Sequence, residues 1–257
     1  MTTQTMLLAA LALPACMLHT ESRTDTTTIA DRVEGMITNL DGADITVTGV
    51  RSSGAEVVQT LRWSAVEPAV SVRSINGILY IEARCPPEQL TCSVALDVTV
   101  PEAAWLDLSS GQGNITVSRV LSQLVAATGA GDITVQDTDG TIRLEADKGN
   151  IDITSVTGDI DLYTGSGDIQ GRQLSVGWLT AASDDGDIRI DTSTVPSRLG
   201  LFTEDGDVQA QVPAGAYAVD VNTGDGEIDI SGITLQNASA QQIDIQTQSG
   251  DIRLYGH

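Results

Sequence analysis

The sequence predicts an all-β fold: a parallel β-solenoid of the β-helix or β-roll type, with coils of 18–24 residues, preceded by a less regular β region. Three observations lead there. A Gly-polar-aliphatic phrase recurs along the second half of the chain, apolar and polar residues alternate behind each copy, and the copies return too soon for each to be a separate domain.

The phrase is anchored on Gly113, Gly131, Gly149, Gly167, Gly186, Gly206, Gly226 and Gly250. The next residue is acidic or amide at every copy: Asn114, Asp132, Asn150, Asp168, Asp187, Asp207, Glu227 and Asp251. After it comes a β-branched aliphatic residue, Ile115, Ile133, Ile151, Ile169, Ile188, Val208, Ile228 and Ile252. Apolar residues also stand seven and five positions before each glycine, as in Leu106 and Leu108 or Ile160 and Leu162. Three positions before it the side chains are small: Ser110, Thr128, Ala146, Thr164, Ser183, Thr203, Thr223 and Thr247. Apolar residues two apart fit strands with one face inward, not a helical stripe. Gly140 and Gly158 carry the same phrase half a period away, so each coil holds two short strands joined by glycine corners.

Taken in order, the chain begins with an apolar run, Met6 to Leu13, too short to span a bilayer and suited to the core of an export signal. It ends in Leu13-Pro14-Ala15-Cys16, which resembles the lipobox of bacterial lipoproteins. That resemblance implies a signal peptide over residues 1–16, lipidation of Cys16 and a membrane anchor through the lipid alone. Residues 17–28 are polar and rich in threonine, and read as a flexible tether.

Residues 29–108 form the N-terminal β region, the first coils of the same solenoid. Val57 to Leu61, Ile78 to Ala83 and Val94 to Val100 read as strands, and Pro101 ends the last. Gly42, Asp44, Ile45 and Val47 echo the repeat with one residue inserted. Cys85 and Cys92 enclose a short loop between two of these strands and are expected to form a disulfide, which an exported protein's oxidising compartment favours. A metal pair is the alternative, but neither histidine nor a further cysteine lies near.

Residues 109–257 are the regular part. With the exported N-terminus, their Gly-Asp-Ile corners resemble the putative-adhesin domain family of bacterial envelope proteins. The resemblance implies a β-solenoid in the cell envelope, periplasmic or at the surface, acting as a non-enzymatic scaffold for an envelope or extracellular protein or glycan. It carries over no binding residue.

Charge narrows the partners. Against 13 Lys and Arg stand 35 Asp and Glu, a formal net charge of −22, which opposes nucleic acid and anionic bilayer surfaces. Stacked carboxylates about 4.8 Å apart repel by roughly 0.9 kcal/mol even in bulk water. Exposure and backbone N–H donors at each acid's own turn would relieve this. Calcium is the alternative relief, in a calcium-stabilised repeat protein, and its best ligands are Asp184, Asp185 and Asp187 with Glu204, Asp205 and Asp207. No cofactor other than calcium is implied.

Catalysis finds no residue set: His19 and His257 lie near the termini, outside the expected fold, and carboxylate pairs are too common to signal a site. A β-helical polysaccharide lyase or hydrolase remains as a fold analogy only. Partner binding is expected on extra segments stacked along one edge, Gly171 to Gly177, Ser193 to Ser197, Val212 to Ala216 and Ser231 to Gln241, with Trp178, Pro196 and Tyr217 beside them. Self-association is expected at the C-terminal edge, where Ile252 and Leu254 form the last rung.

Overall fold

A computed structural model describes residues 20–87 and 90–257. The expected signal peptide, Cys16 and His19 lie outside the described residues. The N-terminal region holds β1 (Glu21–Ile29), β2 (Gly35–Leu40), β3 (Ala43–Val50), β4 (Ala55–Trp63), β5 (Ala69–Ile75), β6 (Ile78–Arg84) and β7 (Cys92–Pro101). The repeat begins with β8 (Trp105–Gln112), β9 (Ile115–Ser118), β10 (Leu124–Ala130), β11 (Ile133–Gln136), β12 (Ile142–Ala146) and β13 (Ile151–Thr154). It continues through β14 (Thr157–Ser166), β15 (Ile169–Asp185), β16 (Ile188–Thr192), β17 (Arg198–Asp205) and β18 (Val208–Val212). The C-terminal part adds β19 (Ala216–Asp225), β20 (Ile228–Ser231), β21 (Thr234–Leu235), β22 (Gln242–Ser249) and β23 (Ile252–Gly256). The described residues are all-β.

These strands form one mixed sheet with two ladders. In the first, Ile45, Ile115, Ile133, Ile151, Ile169, Ile188, Val208, Ile252 and Ile228 are successive partners in parallel register. In the second the same holds for Met36, Leu106, Leu124, Ile142, Ile160, Leu179, Leu199, Ile243 and Val219. Like residues sit directly beside like, because period-2 alternation turns one whole column inward at this register and would turn it outward after a one-residue slip. As far as Ile252 and Ile243, the inward columns of both ladders belong to a single buried cluster.

Pairing at the N-terminal end departs from the all-parallel expectation. There β1 pairs antiparallel with β4, β4 with β7, and β5 with β6. The β5–β6 hairpin turns at Asn76 and Gly77, whose φ angles of 51° and 79° give the left-handed pair that a two-residue hairpin requires. Cys85 and Cys92 form the expected disulfide, with a Cα separation of 5.9 Å.

The tether is corrected as well. From Glu21 onward those residues are strand β1, paired along its length with β4 from Trp63 to Ala55. Its threonines and charges suit an edge strand, which needs polar side chains on its open side, better than a tether.

Stack order and chain order also disagree at both ends. The rung of β2 and β3 lies between that of β6 and β7 and that of β8 and β9. At the other end, the rung of β22 and β23 is inserted between β17 and β18 on one side and β19 and β20 on the other. The last strands of the chain are therefore interior, and the expectation of an open C-terminal edge at Ile252 and Leu254 is corrected: both side chains are fully buried. The open rung is that of β19 and β20.

Candidate functional site

The polar columns come first because they hold most of the groups that could do chemistry. At the corner, each Asx side chain accepts a hydrogen bond from the backbone N–H of its counterpart one rung on. Asp132 N–H donates to Asn114 Oδ1 at 2.9 Å, Asn150 to Asp132 at 2.8 Å, Asp168 to Asn150 at 2.8 Å and Asp187 to Asp168 at 2.9 Å. The series begins with Asn114 N–H donating to Asp44 and ends with Asp207 on Asp187, Asp251 on Asp207 and Glu227 on Asp251. The donors thus come from the neighbouring rung and not, as the sequence suggested, from the acid's own turn. Charge repulsion along the column is reduced further where Asn alternates with Asp. Beyond that stretch, Arg189 pairs with Asp187 at 2.6 Å and Arg253 with Asp251 at 3.2 Å.

A second column runs beside it. Thr128 Oγ1 donates to the carbonyl of Gly113, Thr164 to Gly149, Ser183 to Gly167, Thr203 to Gly186, Thr247 to Gly206 and Thr223 to Gly250. These hydroxyls are small enough for the corner and satisfy a carbonyl that the turn leaves exposed to the interior. Ala146 is the exception in that column, fully buried between Thr128 and Thr164. Ala146→Ser supplies the missing donor toward Gly131, and thermal or urea unfolding is expected to show stabilisation of about 1 kcal/mol.

The carboxylates expected to bind calcium do not converge. Among the described residues no three His, Cys, Asp or Glu side chains form a group that could hold a metal. Asp187 and Asp207 each spend an oxygen on a backbone N–H of the next rung. Asp184 accepts the phenol of Tyr163 at 2.9 Å, and Asp185 and Asp205 are strand partners. The bond to Asp184, with the nearby negative charges of Asp184, Asp147 and Glu145, pushes the Tyr163 pKa up.

Of the expected partner-binding residues, the structure leaves one accessible. Trp178 is 37% exposed, beside Arg198 of the next rung. Pro196 is buried. Tyr217 is fully buried, its hydroxyl donating to the Pro213 carbonyl at 2.7 Å, and burial raises its pKa. Both are packing residues and are corrected accordingly.

Gly171 to Gly177 is not a loop but part of β15, whose ends belong to the two ladders. Ser193 N–H donates to the Leu174 carbonyl and Ser197 to Gly177, which stacks Ser193 to Ser197 on that stretch, and Thr234 N–H donates to the Gly215 carbonyl, which joins the segment Ser231 to Gln241 to the segment Val212 to Ala216. His257 also joins the ladder, exchanging backbone hydrogen bonds with Val212 and Ala214, so it is not outside the fold.

Sequence reasoning missed the end of the stack formed by β19, β20 and β21. There the inward columns run out: Ile228 is 46% exposed, and Val219, Val221 and Ile230 are only partly buried. Leu235 of β21 is 60% exposed. The one signal in the sequence is composition, since no Lys, Arg or His occurs between Arg198 and Arg253.

The described residues thus form an all-β stack whose polar columns are turned to internal bonding. Residues 91–255 match the family described as Toastrack DUF4097, and the chain belongs to that family. No curated protein matches the chain. Among solved structures, a putative adhesin from Bacteroides fragilis NCTC 9343 is similar over 90% of this chain and 96% of its own, at 11% identity and a TM-score of 0.54. A putative adhesin from Parabacteroides distasonis ATCC 8503 is similar over 91% and 97%, at 14% identity and a TM-score of 0.48. At 11% identity the likeness to the Bacteroides fragilis protein is one of fold.

Proposed function

We propose that the protein is an exported, lipid-anchored, non-enzymatic scaffold of the adhesin type in the cell envelope, its parallel rungs forming a β-solenoid. The observation that carries this reading is the use of the polar columns: the corner Asx and hydroxyl groups are committed to bonds between rungs, as structural parts are. Two further features support it. The Leu13-Pro14-Ala15-Cys16 stretch resembles a lipobox, and the chain shares its fold with a protein described as a putative adhesin. A disulfide between Cys85 and Cys92 is compatible with an oxidising compartment.

Function in this reading is presentation of surface: a rigid rod offers its faces and loop edge to envelope or extracellular partners while the lipid holds it to a membrane. Mass spectrometry of the membrane-extracted protein tests it. The expected N-terminus is Cys16 with a diacylglyceryl modification. A soluble chain retaining Met1 overturns the anchored, exported reading.

A further inference from the structure

The two ends of the stack are finished differently. At the N-terminal end one edge strand, β1, is polar, and the other, β5, alternates apolar and polar residues. β1 carries mostly threonine and charged side chains, and Arg23 pairs with Asp25 at 2.6 Å and Glu67 at 2.5 Å. On the neighbouring edge Arg73 of β5 pairs with Glu82 at 3.0 Å. Such edges resist the addition of another strand.

The opposite end carries charges of one sign only. β22 lies along one side of β19, while on the other side β21 covers only Ala216 and Tyr217. Among the described residues, Ala218 to Asp225 have no further strand partner on that side. Val219 and Val221 of β19, with Ile228 and Ile230 of β20, continue columns that are fully buried one rung deeper, at Ile243, Ile245, Ile252 and Leu254. The outward side chains of the same rung, Asp220, Asp225, Glu227 and Asp229, are exposed and acidic. The 54 residues from 199 to 252 contain no Lys, Arg or His; the cations nearest the rung are Arg253, the strand partner of Asp229, which pairs with Asp251, and Arg198, which lines a cavity with Asp220.

We propose that this end is a docking site for an extended, basic segment of a partner protein, which adds to β19 as one more strand. Main-chain hydrogen bonds would supply affinity, alternate small aliphatic side chains would continue the Val219 and Val221 column, and the Lys or Arg side chains would meet the exposed acids of β19, Asp220 and, at its end, Asp225. A second copy docking end to end is disfavoured, because two acidic rungs, each with Asp220, Asp225, Glu227 and Asp229 exposed, would be brought together. The proposal rests on the scaffold reading and gives that scaffold a specific binding surface.

Its test uses the folded protein and a labelled nine-residue peptide alternating Val with Arg, against the same peptide with Glu in place of Arg. Fluorescence anisotropy is expected to show the Arg peptide binding at least tenfold tighter, with new hydrogen-exchange protection confined to the β19 amides. The double variant Asp220→Lys/Asp225→Lys is expected to weaken binding tenfold or more with an unchanged melting temperature. Asp97→Lys/Glu145→Lys, which makes the same change in net charge on exposed positions elsewhere, is expected to leave binding unchanged.

Equal weakening by both variants would mean general attraction to an acidic protein and overturns the proposal. So does protection elsewhere, or a self-assembled chain whose β19 amides are already protected. None of these outcomes bears on the lipid at Cys16, so the anchored reading stands or falls separately.

Discussion

Alanine at Gly167 lowers the unfolding free energy by roughly 4 kcal/mol, which for a chain of this size is a fall of several degrees in melting temperature. Two causes add. Gly167 has a φ of 149°, a conformation that a residue with a Cβ adopts only under strain. A Cβ there would also fall on the carbonyl of Gly149, deep inside van der Waals contact. That carbonyl cannot swing aside freely, because it accepts the Thr164 hydroxyl at 2.8 Å. Gly177→Ala is the control. A Cβ there meets only Asp159 Oδ1, at 3.4 Å, and no unusual φ is required, so the change is expected to stay within about 0.5 kcal/mol. Urea unfolding of the two variants reads the difference directly.

The second large effect concerns the inserted rung. Ile252 and Ile228 are strand partners of one residue type, in equivalent columns, but Ile252 is fully buried and Ile228 is 46% exposed. Ile252→Ala is expected to cost roughly 3–4 kcal/mol, as large-to-small changes in a core do, and Ile228→Ala about 1 kcal/mol. If rungs stacked in chain order, the ranking would be reversed, since Ile252 would then lie on the open end. Comparing the two unfolding midpoints therefore tests the strand order without any further structure.

Most of the repeated region was legible because its columns are redundant. The Ile column from Ile115 to Ile252, the small-residue column from Ser110 to Thr247 and the Gly-Asx corners each predicted an in-register parallel stack, and the ladders pair those same residues. That redundancy is also why stack order was not legible. Every rung presents the same columns, so Ile252 fits beside Val208 as well as Ile228 would. The stretch from Ser231 to Gln241 carries the chain from β20 back to β22, which lies with β23 between the rungs of β17 and β18 and of β19 and β20.

At the N-terminal end the missed signal was local. Asn76-Gly77 between two apolar runs is a strong hairpin indicator, and it marks the antiparallel β5–β6 pair. Tyr217 and Pro196 were placed at a surface because aromatic and turn residues beside loops suggest recognition, whereas both are packed inside the loop edge. The acid-rich corners suggested calcium because a one-dimensional reading sees charges but not donors. The N–H groups that occupy Asp187 and Asp207 come from residues 20 and 44 positions away.

The stacking account meets its most direct test in through-hydrogen-bond NMR couplings at the corner amides. In the predicted pattern the nitrogens of Ile115, Ile133, Ile151, Ile169 and Ile188 couple to the carbonyl carbons of Asp132, Asn150, Asp168, Asp187 and Asp207. Val208 couples to Asp251, and Ile252 to Glu227. Coupling of Val208 to Glu227 would contradict the inserted rung, and couplings of the Ile series to antiparallel partners would contradict the stack itself.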